Sequence, residues 1–156
     1  MDLGKKFIDE ELASLQLADV EALDKNATSS KSQEFYQNSQ ITSAIVYHNR
    51  ISGVVGNFVE RHQVEILVHQ KELASSCTCS KSRRICKHAV ALLYAWVNNG
   101  NDFTNVEMAL QQIRKQKKED LLEIVTNIIR QNPAAIELFL AKDKPDWDEI
   151  DLDLDY

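Results

Sequence analysis

Hydrophobic and polar positions divide the chain into three textures. Up to Asp24 the apolar residues Phe7, Ile8, Leu12, Leu15, Val20 and Leu23 are scattered among acids. Leu12 and Leu15 stand three apart, which allows a helical face and predicts one or two short helices. Residues 25–31 (KNATSSK) have loop composition and predict a break, with a further turn of helix over 33–40. From Ile41 the texture changes to runs of Ile, Val, Tyr and Phe punctuated by Gly53 and Gly56, with alternation at Val64, Ile66 and Val68. This predicts three short antiparallel strands, near 43–48, 51–58 and 64–69.

The third texture is helical. Ala89, Leu92, Leu93 and Trp96 recur at spacings of three and four, predicting a helix over 87–98 that Asn98-Asn99-Gly100 would stop. Asp102 or Thr104 would cap a second helix running to about residue 115, and KQKKED forms a charged turn. Leu121, Leu122, Val125, Ile128 and Ile129 mark an amphipathic helix over 119–131, and Asn132-Pro133 reads as N-cap and first position of a last helix. The expected fold class is α+β: a small antiparallel sheet flanked by N- and C-terminal helices. The corresponding segments are 1–40 (helical), 41–100 (meander, the stretch 77–88 and the helix that follows it), 101–141 (helical) and 142–156 (acidic tail).

Between the second and third textures lies SSCTCSKSRRICKH, which holds all three cysteines, Cys77, Cys79 and Cys86, and then His88. The spacing C-x-C-x6-C-x-H supplies four sulfur or nitrogen donors, the set a tetrahedral zinc ion takes at roughly 2.0–2.3 Å. Core packing explains the cysteines poorly, because Thr78, Ser80, Ser82, Arg83 and Arg84 make this the least apolar stretch nearby. A disulfide would strand one thiol and strain the pair Cys77 and Cys79. A catalytic cysteine gives no reason for three thiols and a histidine at ligand spacing. Four protein ligands leave no open position for water, so the one zinc expected here folds the chain and does not catalyse.

C-x-C, a short spacer, C-K-H and the apolar helix HAVALLYAW together resemble the SWIM zinc finger, a module of bacterial Swi/Snf-type ATPases, MuDR-like transposases and several adaptor proteins. The resemblance implies Cys77, Cys79, Cys86 and His88 as ligands, the first pair at the end of a β-hairpin and the last pair opening a helix. The aromatic pair Phe35-Tyr36, then Val55-Gly56 and Val64-Glu65-Ile66, are similar to the region preceding the finger in bacterial SWIM proteins, with Phe58 and Gln63 departing from that pattern. The helical hairpin after residue 101 is similar to the helices on the C-terminal side of the finger in those proteins.

Composition narrows the function. At 156 residues and 44% hydrophobic the chain can bury one core. It has no apolar run of about 18 residues, and its first eleven residues are too polar for a signal peptide, so a soluble, cytoplasmic protein is expected, in a reducing compartment that suits free thiols. The net charge of −6 is uneven: the tail 142–156, with seven acids and two lysines, carries −5 of it, while no acid occurs between Glu72 and Asp102. Lys81, Arg83, Arg84 and Lys87 crowd the zinc loop. They would contact phosphates of DNA or RNA, in a salt-dependent and largely sequence-independent way.

The alternative is a protein–protein adaptor with a purely structural zinc; the resemblance supplies partners of both kinds, an ATPase or helicase and recombination proteins. No phosphate-binding G-x-x-x-x-G-K-[ST] occurs, so any motor belongs to another chain, and this one is free-standing or a piece of a longer protein. Without H-E-x-x-H or a carboxylate tied to the finger, neither enzyme activity nor a small-molecule substrate is expected. His48, His62 and His69 read as ordinary surface histidines. The tail alternates acid with apolar residues and reads as solvated and disordered, or else as a peptide that docks a partner or folds back on the basic loop.

Overall fold

The computed structural model describes residues 7–28, 30–70, 72–79 and 85–140. The acidic tail lies outside them. The described residues form an α+β arrangement of seven helices and five strands, in two compact units, Met1–Gln111 and Gln112–Tyr156.

In the first unit, α1 (Glu10–Ala13), α2 (Leu17–Thr28) and α3 (Lys31–Asn38) precede a meander of β1 (Gln40–Tyr47), β2 (Arg50–Gly56), β3 (Arg61–His69) and β4 (Glu72–Cys77). These four strands pair antiparallel in sequence order, and the two-residue β5 (Thr104–Asn105) adds in parallel at the far edge of β1. The period-2 pattern sets the sheet's faces: Ile51 and Val55 of β2 and Val64, Ile66 and Val68 of β3 are all buried. Against this face lies α4 (Lys87–Asn99), and α2 and α3 also contact α4. Gly53 marks a close approach, since a Cβ there would sit 3.1 Å from Leu92 Cδ1.

Several expectations change. The meander has a fourth strand, β4, which the sequence ELASSC does not announce because it is serine-rich and does not alternate. Helix α2 runs through the expected break to Thr28, because Asp24 turns the corner. Its buried carboxylate accepts hydrogen bonds from the Ser32 N–H (3.2 Å), the Gln33 N–H (3.2 Å), the Thr28 hydroxyl and the Tyr94 hydroxyl (3.1 Å), tying the start of α3 to α4. Burial pushes that carboxyl's pKa up, but these donors outweigh it and hold the group below its ordinary 3.8. Finally, α4 is buried all round from His88 to Trp96 and not on one face only. Gly100 takes right-handed geometry (φ −55°) and leads into a short 3-10 turn, so it is not a left-handed cap. The next helix, α5 (Val106–Ile113), is capped by Asn105, whose Oδ1 accepts the Met108 N–H, and not by Asp102 or Thr104.

The second unit holds α6 (Lys118–Gln131), a 3-10 turn from Pro133 to Ile136 and the short α7 (Glu137–Leu140). Asn132 accepts the Ala135 N–H through its carbonyl and makes no side-chain cap. Among the described residues no helix is long and apolar enough to cross a membrane.

Candidate metal centre

Two elements bring the ligands together. The β3–β4 pair places Cys77 opposite Val64 at the end of the hairpin. Beyond it, Thr78 and Gln63 exchange two bonds: the Thr78 N–H donates to the Gln63 carbonyl (3.1 Å), and the Gln63 N–H donates to Thr78 Oγ1 (3.0 Å). This fixes the turn carrying Cys79, whose N–H points at Cys77 Sγ (3.5 Å). The other two ligands open α4. Cys86 is its extended N-cap residue, which sets its sulfur at the start of the helix, beside the other donors. His88 sits in the first turn, and its Nδ1 faces Cys77 Sγ at 3.8 Å and Cys86 Sγ at 3.9 Å.

The donor atoms of Cys77, Cys79, Cys86 and His88 all lie within 4.8 Å of one another. A tetrahedron of zinc–sulfur and zinc–nitrogen bonds about 2.0–2.3 Å long has edges of about 3.5–3.8 Å, so the set fits a single ion. All three cysteines are free thiols. Burial, reinforced by the two neighbouring sulfurs, pushes the Cys79 thiol up to about 12; burial also raises Cys77. Burial together with the positive charges of His62 and Lys87 drives His88 down to about 4, leaving a neutral imidazole ready to ligate. Without a cation the pocket resists holding thiolates. A divalent ion reverses that balance and releases protons on binding. One zinc site, formed by Cys77, Cys79, Cys86 and His88, is therefore present.

A supporting shell surrounds His88. The ring of Phe35 meets its edge at 4.9 Å, and the ring of His62 lies over it at 4.2 Å, with His62 Nε2 3.1 Å from Glu60 Oε1. Such contacts orient a ligand. His62 reads as a surface residue in isolation, yet it shares parity with Val64, Ile66 and Val68, the inward positions of β3, and that signal was available in the sequence. By contrast, His48 and His69 are exposed.

Of the basic residues singled out for nucleic acid, Lys87 is exposed beside the site, its Nζ 4.7 Å from the centre of the Phe35 ring. Lys81, Arg83 and Arg84 lie outside the described residues. One group was not anticipated. The β2–β3 turn, 57–60, is closed by Asn57, whose side chain accepts the Val59 and Glu60 N–H groups (both 2.9 Å). It holds Phe58 and Val59 out in solvent, 86% and 95% exposed, next to exposed Arg61.

Residues 60–97 match the family model of the SWIM zinc finger, a stretch that runs from the β2–β3 turn through all four ligands into α4. No curated protein and no solved structure matches the chain.

Proposed function

We propose that this chain is a non-catalytic, zinc-organised binding module that grips the phosphate backbone of DNA or RNA and serves as an accessory to a DNA-processing machine such as a Swi/Snf-type helicase or a recombination protein. The observation that carries this reading is the exposed chemistry around the metal end: Lys87 in the first turn of α4, and Arg61 with Phe58 at the β2–β3 turn. The sequence adds Lys81, Arg83 and Arg84 between two ligands of the same zinc, so the metal fixes both ends of that basic stretch. Cations give sequence-independent affinity, and an exposed aromatic ring gives a face on which an unpaired base can stack. With four protein ligands the zinc has no position left for a substrate, which supports a structural and not a hydrolytic role.

The test is fluorescence anisotropy with labelled single-stranded and duplex DNA and with RNA, titrated against salt. Binding should weaken steeply as salt rises, and Lys87→Glu should reduce the slope of log affinity against log salt by about one contact. Arg83→Glu/Arg84→Glu should weaken binding further while leaving zinc content unchanged. Equal binding by the double variant would remove the basic loop from the account.

A second reading, a protein adaptor without nucleic-acid contact, is favoured by a different feature. An open groove of about 1000 Å³ runs between α2 and the end of the sheet, floored by Leu15, Leu23, Val68, Leu73 and Ile85. It would receive an apolar peptide face. Salt-tolerant capture of a purified partner, abolished by Leu23→Asp, would select this reading over the first.

A further inference from the structure

The three thiols of the metal centre differ in access. Cys79 is exposed, Cys77 and Cys86 are half-buried and His88 is buried, so solvent reaches the cluster through Cys79. Its sulfur is nevertheless turned in toward the others, since the four donor atoms all lie within 4.8 Å of one another. An accessible thiolate with a second sulfur beside it responds to an oxidant, because a sulfenic acid formed on the first is resolved by the second.

The two thiols that could resolve it are not equivalent. Cys77 is two residues away at the end of β4, and Thr78 between them is pinned by two hydrogen bonds with Gln63 (3.1 and 3.0 Å). A bridge across that one fixed residue is strained. Cys86 comes from a different element, as the extended N-cap residue of α4 seven positions further along. A bond from Cys79 to Cys86 asks only that two sulfurs now within 4.8 Å close to about 2.0 Å.

We infer that the metal centre is a reversible redox switch, in which hydrogen peroxide oxidises Cys79, Cys86 closes on it as a disulfide, and zinc is released. The Cys79 thiolate attacks one peroxide oxygen, the O–O bond breaks, and the other oxygen leaves as hydroxide, giving a sulfenic acid. The Cys86 thiolate then attacks that sulfur, the S–S bond forms, and a second hydroxide leaves. Two electrons have passed from the sulfurs to the peroxide. Cys77 and His88 remain, too few donors for a closed four-ligand site. The new bond joins the end of the hairpin to the start of α4, the same two elements the metal joins, so the oxidised chain keeps that tether. A dithiol reverses the step by thiol–disulfide exchange and restores the ligand set. This inference rests on the zinc centre and not on the nucleic-acid reading.

The test treats the zinc-loaded full chain with hydrogen peroxide, reads released zinc with a chromogenic chelator, and maps disulfides after free thiols have been alkylated. Trypsin cuts after Lys81, Arg83 and Arg84, which puts Cys79 and Cys86 on separate peptides. The expected result is loss of the one zinc, a disulfide joining Cys79 to Cys86, an alkylated Cys77, and full recovery of zinc binding after dithiothreitol. The oxidised, zinc-free chain should also melt above the chelated, reduced one. Zinc retained at a dose that oxidises free cysteine completely, a bridge through Cys77, sulfinic or sulfonic acid on Cys79 without a bridge, or an oxidised chain that melts no higher than the chelated one would overturn the switch. The zinc content before oxidation tests the metal centre separately.

Discussion

Helices α4 and α6 are almost equal in length, thirteen and fourteen residues, and opposite in situation. In α4 every side chain from His88 to Trp96 is buried; in α6 none is. The difference is written in their sequences. No charged residue interrupts α4 after Lys87, so it is apolar on all sides and suits a position with elements packed around it. Lys118, Glu119, Asp120, Glu123 and Arg130 give α6 a wet face. What the comparison teaches is where stability comes from. A helix of this length is marginal alone, and α4 is held by core burial at its middle and by a metal at its first turn, whereas α6 buries no side chain.

The largest effect that would break this contrast lies at the metal. Cys79→Ser or His88→Ala should release zinc and unfold the finger, because the site and the fold form together; the melting temperature should fall by more than any single core truncation costs. Next, Leu92→Ala, which empties a fully buried position, should cost about 2–5 kcal/mol in chemical denaturation, while Leu122→Ala on α6 should cost no more than about 0.5 kcal/mol. Comparable losses at the two sites would erase the distinction between the helices.

A third, smaller effect concerns Asp24. Its carboxyl titrates lower in the fold than in the unfolded chain, so its contribution is present above the ordinary 3.8 and is lost as pH falls through the folded value. The melting-temperature gap between the wild type and Asp24→Asn should therefore stay constant from neutrality down to the acid pH at which zinc leaves the chain, since the carboxylate remains ionised throughout that range; a gap that shrinks within it would contradict the lowered value. The smallest expected effect is at His62. Removing the ring that lies over His88 should leave the fold intact and lower zinc affinity about tenfold, read by competition with a chromogenic chelator; an unchanged affinity would show that Phe35 and α4 orient His88 without it.

Those features also mark how far the sequence could be read. The ligand set was legible because four soft donors within twelve residues suit a metal and little else, and α4 because a long apolar period ends in Asn-Asn-Gly. Strand β4 was hidden in its own residues, although the resemblance implied the hairpin that ends at Cys77. Its residues ELASSC lack strand propensity, and it exists because β3 offers an edge and because Cys77 and Cys79 must reach the metal. The continuation of α2 to Thr28 was hidden for a related reason: KNATSSK is loop-like locally, and the bonds that extend it come from Asp24, Ser32 and Tyr94, the last of them 70 residues further along the chain. His62 was legible by strand parity but not by composition. The exposed turn at Phe58 carried no signal at all, since an aromatic after a strand is ordinarily core.

The most direct test of the central claim, that one zinc on Cys77, Cys79, Cys86 and His88 builds the module, is native mass spectrometry of the wild type and of Cys79→Ser, each before and after chelation. The account predicts one zinc per wild-type chain, removed by chelator with a shift to the high charge states of an unfolded chain, and no stoichiometric zinc on Cys79→Ser. A full zinc complement on Cys79→Ser, or a wild type that loses its metal without any change in compactness, would contradict it.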